Sequence, residues 1–259
     1  MNLSLPTIIL GDGVQNANEE EIRQSYLFQQ WWKRIANSGE IFLKSVHIPA
    51  VYKWGEPKEI KMIQLEAEAY DLEGRKLGGI TTLRGDTVVV LTVLNIRGRD
   101  YVVLVLQLRV PGGGCTLSGP SGMIDQGQSK KDASVREQKE ETGTKLPPGK
   151  LVDLAEAVHG HQLPYVVSSG TSDERASMMV TISNAPRRLL KDLEGQVGGL
   201  LEEGERTRVM VVPFKKAFGE LESTGSASAK LVLSLHLYGK YRRKFSARIR
   251  RWLTVLNWR

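Results

Sequence analysis

An α+β architecture is what this sequence predicts, and three features lead there. The middle of the chain is dominated by β-branched runs, above all 86–96 and 101–110. Helical periodicity is confined to a few dispersed segments, at 18–38, at 130–141 and toward the C-terminus. No internal repeat or low-complexity tract points to a solenoid or fibre, which leaves a mixed sheet between helices. A chain of 259 residues suits one large domain, or one domain with a smaller accessory layer.

The elements follow in order. Asn18 caps a helix over 18–38, and Glu19, Glu20 and Glu21 favour its N-terminal dipole. Ile22, Tyr26, Leu27, Trp31 and Ile35 give that helix an apolar stripe, and Gly39 stops it. Strands are expected at 41–47 and 59–70, with Asp71 to Gly74 as a turn. The runs 86–96 and 101–110 form a hairpin across Arg97 to Asp100, and Pro111 to Gly114 break the pattern. A helix follows over 130–141, stopped by Gly143. Strands are expected at 151–158, 165–168, 176–182 and 206–212, with 184–203 as a helical or loop-like insertion. Helices over 213–222 and 226–237 are separated by Gly225.

Composition narrows the function classes. No apolar run approaches the ~20 residues that cross a bilayer. Met1 to Gln15 have neither the shape of a signal peptide nor the arginines of a transit peptide. Cys115 is the single cysteine, so no internal disulfide forms, which is compatible with a reducing compartment. The net charge is +7, yet eight basic residues and no acid lie between Lys240 and Arg259, leaving a body of +7 − 8 = −1. Whole-chain charge is therefore no argument for a nucleic-acid-binding domain.

The chemistry concentrates between Gly122 and Gly143. Glu137, Glu140 and Glu141 stand at i, i+3 and i+4, so one helical face gathers three carboxylates. Either a hard divalent cation resolves their repulsion, or they form a solvated acidic face balanced by Arg136 and Lys139. The run Gly122-x5-Gln128-x7-Arg136-Glu137-x-x-Glu140-Glu141-x-Gly143 resembles the Nudix box. That family hydrolyses nucleoside diphosphates linked to another group. The segments Gln107 to Pro111, Pro120 to Asp125 and Gly170 to Arg175 resemble its ADP-ribose and ADP-sugar pyrophosphatase branch, and residues 20–238 look most like plant ADP-sugar diphosphatases.

The resemblance implies an α/β/α sandwich with a mixed sheet, preceded by an N-terminal helix and strands. It divides the chain into an N-terminal dimerisation-type region at 1–80, a hydrolase domain at 81–238 and a basic tail at 239–259. It implies Glu137, Glu140, Glu141 and the Ser121 carbonyl as ligands of Mg²⁺, with Mn²⁺ as the alternative metal. Arg109 and Gln107 would meet the substrate, where a guanidinium fork suits a diphosphate. Glu174 would be the general base, with Asp173 as its neighbouring alternative, and Glu137 and Arg136 complete the catalytic set. The expected activity is hydrolysis of the pyrophosphate of ADP-glucose or ADP-ribose to AMP and a sugar phosphate, by a homodimer. A Nudix-fold binding or scaffold protein with weak or no turnover is the alternative. The expected compartment is the cytoplasm, or an organelle such as a plastid or mitochondrion.

Departures from the family pattern stand at Gln128, which replaces a glutamate that pairs with the box arginine, and at Ser118. Gln138 and Thr144 fill positions that are usually apolar, and burying Gln138 costs about 1–3 kcal/mol unless it is hydrogen-bonded. His159-Gly-His161 lacks a third ligand nearby in sequence, and Trp31-Trp32 read as hydrophobic docking residues. Gly112 to Gly114 lack the Lys-Ser/Thr of a P-loop. In the tail, Tyr241, Phe245, Ile249, Trp252, Leu253 and Leu256 recur at helical spacing among arginines. Three roles stay open for it: an anionic membrane surface, RNA or an acidic partner, or packing on the protein's own body.

Overall fold

The structure is a computed structural model that describes residues 5–55, 57–200, 202 and 204–256, with side chains described as far as Lys244. Contacts divide the chain into two units, one of residues 1–86 with 166–175, the other of residues 87–165 with 176 onward.

The first unit contains β1 (Thr7–Leu10), α1 (Glu19–Gln24), α2 (Tyr26–Ser38), β2 (Phe42–Trp54), β3 (Glu59–Tyr70), β4 (Lys76–Leu77) and β5 (Ile80–Leu83). Its sheet runs β1-β2-β3-β4, with β5 also paired to β3. β1 is parallel to β2, and the other pairs are antiparallel. The single helix expected over 18–38 is two helices. Ser25 breaks it by taking an extended ψ of 141°. Its hydroxyl accepts from the Phe28 amide and donates to the Ile22 carbonyl, so one side chain ends α1 and starts α2. β2 runs past the expected end at 47 because a register shift between His47 and Ala50 absorbs Pro49. Ile22, Phe28, Trp31 and Trp32 are buried against Val46, Ile48, Ile63 and Leu65, so the tryptophan pair belongs to the core.

The second unit begins with β6 (Thr87–Ile96), β7 (Arg99–Arg109), β8 (Gly114–Ser118), β9 (Ser121–Met123) and α3 (Lys130–Thr142). β10 (Val152–Asp153) and α4 (Leu154–His159) follow. β11 (Tyr165–Val166) stands where the chain changes units. The rest is β12 (Arg175–Asn184), α5 (Arg188–Leu193), β13 (Val197–Gly198), β14 (Thr207–Pro213), α6 (Ala217–Thr224) and α7 (Ala229–Leu256). The sheet order is β10-β12-β6-β7-β14-β13, with β8 added to β7 and β9 to β6. β12 is parallel to β6, whereas β6, β7 and β14 run antiparallel, so the sheet is mixed. The β6–β7 turn is tight because Arg97 and Gly98 both take positive φ, 51° and 79°. Alternation along β6 sends Val88, Val90 and Thr92 toward α3, and Val89, Leu91 and Val93 to the opposite face, on which α7 packs.

The strand expected at 151–158 is mostly helix α4. The Asp153 carboxylate accepts from the amides of Ala155 and Glu156, which nucleates a helix where the apolar run suggested a strand. The helix expected at 226–237 starts at Ala229 and continues through the tail to Leu256. Tyr238 donates to Asp100 at 2.9 Å, and the Arg242 guanidinium pairs with the same carboxylate at 2.9 Å. Arg242 also lies 5.3 Å over the Phe214 ring, and Lys244 donates to the Ala157 carbonyl. Arg242 and Lys244 of the tail thus pack on the rest of the second unit. The side chains of Phe245, Arg248, Ile249, Arg250, Arg251, Trp252, Leu253 and Leu256 lie outside the described residues, as does Arg259. Among the described residues no helix is long and apolar enough to cross a membrane.

Candidate active site

α3 forms where the sequence places it. Ser129 caps its start by accepting from the Asp132 amide, and Gly143 ends it at φ 68°. Its buried face is unusual in composition: Ser134, Glu137, Gln138, Glu141 and Thr142, with Ala133 as the apolar member. A folding helix of this kind normally buries an apolar stripe. Here Glu137 and Glu141 are 6% and 2% exposed, which excludes the solvated acidic face as an account of them.

Burial has the expected electrostatic result. Desolvation raises the Glu137 carboxyl to about 7, against the pull of Arg136, and the charges of Glu140 and Glu205 push the same way. Glu141 is driven well above the ordinary carboxylate range by burial first and by Glu137 second. Its Oε1 accepts from the Ser121 amide at 3.4 Å, while its buried Oε2 has no hydrogen-bond partner.

Arg136 is the counterweight. It pairs with Glu137 at 2.6 Å and Glu140 at 3.3 Å, and donates to the Met123 carbonyl at 2.7 Å. It also reaches Gln128 Oε1 at 3.4 Å and Asp125 at 3.5 Å. The Gln128–Arg136 contact therefore exists as a long hydrogen bond without the charge a glutamate would bring. No three His, Cys, Asp or Glu side chains among the described residues converge as a metal cluster, and Arg136 engages both Glu137 and Glu140. The donor set nevertheless fits a hard divalent cation: buried carboxylates, raised in pKa, one with an orphaned oxygen.

Two glycines shape this centre. A β-carbon on Gly122 would land in the Glu137 carboxylate, and one on Gly198 would run into the Glu141 carbonyl. The first explains the opening glycine of the box by space alone.

Arg109 lies at the end of β7 with its side chain 43% exposed and pairs with Glu205 at 3.5 Å. Gln107 is buried two residues earlier. Glu205 was missed by the sequence reading, which treated 184–203 as an insertion and began a strand at 206. The signal was present in the acidic run Glu202-Glu203-Gly204-Glu205 just before β14. Glu205 acts electrostatically on both Glu137 and Glu141 and raises their pKa further.

Glu174 belongs to the first unit, whereas Glu137, Glu140 and Glu141 belong to the second. Within its own unit Glu174 is buried and stands 3.8 Å from Arg84. Its neighbour Asp173 accepts from the amides of Arg84 and Gly85 and faces Arg34 at 3.6 Å. Burial leads the forces that raise the Asp173 pKa. Among the smaller features, Cys115 is exposed on β8. His159 meets the Tyr165 hydroxyl at 3.1 Å, with His161 beside it at 6.3 Å between rings. Ser118 donates to the Gly119 carbonyl, and Gln138 is fully buried and hydrogen-bonded.

A family model described as "NUDIX domain" matches residues 83–231. The chain is 31% identical over 237 residues to "Nudix hydrolase 14, chloroplastic" of Arabidopsis thaliana, covering 87% of this chain and 74% of that protein. It is 30% identical over 163 residues to "ADP-ribose pyrophosphatase" of Escherichia coli (strain K12), covering 59% of this chain and 69% of the relative. A solved structure titled "Crystal structure of ADP compounds hydrolase" superposes with a TM-score of 0.55 at 17% identity, over 79% of this chain and 95% of that one. That last likeness concerns the fold alone.

Proposed function

Because this chain belongs to the NUDIX-domain family, a family of pyrophosphatase-type hydrolases, we propose that it hydrolyses the pyrophosphate bond of an ADP-sugar. The substrate class is ADP-glucose or ADP-ribose, and the products are AMP and a sugar phosphate. The observation that carries the reading is the burial of Glu137 and Glu141, with the Oε2 of Glu141 left without a hydrogen-bond partner. Folding alone gives no return for that arrangement, since each buried carboxylate is destabilising until it is paired.

Glu137, Glu140 and Glu141, with the Ser121 carbonyl, would hold Mg²⁺ or Mn²⁺. When bound, such a cation neutralises diphosphate charge and lowers the pKa of water. The protein's own groups do the remaining work. Arg109 offers a permanently charged fork to the diphosphate and is held near the site by Glu205. Gln107 orients the same end of the substrate. Arg136 balances Glu137 and Glu140 and steadies them through its bond to the Met123 carbonyl. For the base that takes a proton from water, the family resemblance favours Glu174, while the field exerted on Glu137 and Glu141 favours Glu205 as a member of the site.

A binding or scaffold role is the second reading, and the engagement of Glu137 and Glu140 by Arg136 favours it. Incubating the chain with ADP-glucose and ADP-ribose, with Mg²⁺ or EDTA, separates the two. Mg²⁺-dependent AMP release is expected. Binding of either compound without hydrolysis would support the scaffold reading instead. Homodimerisation is part of the proposal and is read by light scattering at micromolar concentration. The chloroplastic relative makes a plastid, beside the cytoplasm, the compartment to examine with a tagged chain.

A further inference from the structure

Gln138 occupies the buried face of α3 at a position where an apolar residue would pack against the sheet. Opposite it, Thr92 interrupts the valines and leucines of β6 and is itself buried. The Thr92 hydroxyl donates to Gln138 Oε1 at 2.8 Å, and Gln138 Nε2 donates to the Thr142 hydroxyl at 2.8 Å. Thr142 in turn donates to the Gln138 carbonyl at 2.6 Å. A buried polar chain of this kind is neutral or better only when each member is satisfied, as here.

The same end of the helix is held a second time, from the β13–β14 side. The Thr207 hydroxyl donates to the Glu141 carbonyl at 2.8 Å, and the Gly199 amide donates to the Glu140 carbonyl at 2.8 Å. Gly198 permits this approach, since a β-carbon there would strike the Glu141 carbonyl.

We infer that Gln138 and Thr207 are positioning residues that fix the rotation and axial register of α3, and so aim Glu137 and Glu141. The inference rests on the reading of those glutamates as metal ligands. The physical ground is directionality. Apolar packing resists separation but tolerates slip and rotation, whereas a hydrogen bond fails outside a narrow range of distance and angle. Glu137 and Glu141 both lie within about 100° of Gln138 around the helix axis, so a rotation released at Gln138 swings both.

The test measures Mn²⁺ affinity by electron paramagnetic resonance, together with kcat, KM and melting temperature. The variants are Thr92→Val with Gln138→Leu as a double substitution, Thr207→Val and Thr207→Ser. Replacing both partners of a buried bond by apolar groups of similar shape is close to neutral for stability. The double variant should therefore melt near the wild type. Its Mn²⁺ dissociation constant should rise about 10-fold or more, the usual cost of losing a group that orients a metal ligand. kcat should fall while KM for the ADP-sugar holds. Thr207→Val should lower Mn²⁺ affinity in the same way, and Thr207→Ser, which keeps the hydroxyl, should restore it. A double variant that melts, binds Mn²⁺ and turns over like the wild type would overturn the inference. A wild type that binds no Mn²⁺ would instead remove the metal reading, and this inference with it.

Discussion

Gly122 and Glu137 share one space: the carboxylate of Glu137 fills the volume that any β-carbon at position 122 would need. β9 brings Gly122 there through its pairing with Val88 on β6, and α3 brings Glu137. Gly122→Ala must therefore expel the carboxylate from its buried position. A displacement of about 1 Å in a catalytic group costs on the order of 100-fold in rate. Steady-state kinetics should show kcat/KM for the ADP-sugar reduced by about that factor. Unchanged kinetics in a folded Gly122→Ala would show that the carboxylate position is irrelevant to turnover.

The raised carboxyl of Glu137 makes the metal-free protein sensitive to pH. In the folded chain it titrates near 7, against an ordinary 4.5. Between those values the folded state keeps a proton that the unfolded state has released. Stability therefore falls as pH climbs from 4.5 toward 7, and this contribution levels off above 7. The shift corresponds to roughly 3 kcal/mol. Melting curves in EDTA should show a declining transition temperature across that window. Mg²⁺ should raise the temperature more above pH 7 than below it, because the Glu137 carboxylate is ionised there. A rising or flat profile in EDTA would contradict the assigned burial cost.

Glu174 and Glu205 are distinguishable by what each loses. If Glu174 is the general base, Glu174→Gln lowers kcat by about 100-fold or more and leaves Mn²⁺ affinity intact. Glu205→Gln should weaken Mn²⁺ binding, because Glu205 belongs to the same field as Glu137 and Glu141. It should also raise KM, because Arg109 loses its partner at 3.5 Å. Titrating both variants with Mn²⁺ and with ADP-ribose reads the two effects separately.

Ser25 gives a prediction confined to the first unit. It is both the last bond of α1 and the cap of α2. Ser25→Ala should cost about 1 kcal/mol, the usual value of an N-cap, in a denaturant melt of the full chain. No change would mean that the break between α1 and α2 is held by packing alone.

Much of this fold was legible in the sequence, because its strongest signals are local. The β6 and β7 runs and the caps at Asn18, Gly39 and Gly143 read correctly from residue type and spacing, while the loop expected across Arg97 to Asp100 closes in two residues, Arg97 and Gly98. The misreadings also have local causes. Ser25 and Asp153 each supplied a cap inside a run whose hydrophobic pattern suggested one continuous element. Pro49 hid the continuation of β2, since a bulge that absorbs a proline leaves no periodic trace. The box positions came from resemblance to a family pattern, and the structure adds partners that no such pattern carries. Glu205 is more than sixty residues from Glu141 in the chain, and Thr92 is 46 residues from Gln138. Only the sheet brings such partners together.

The most direct measurement compares AMP release from ADP-glucose and ADP-ribose in Mg²⁺ by the wild type and by Glu141→Gln. The substitution keeps shape and burial and removes the charge that a cation would neutralise. Mg²⁺-dependent release by the wild type is expected, with a rate lower by about 100-fold or more in the variant. Equal rates in the two proteins would contradict the placement of the hydrolytic site at Glu137, Glu140 and Glu141.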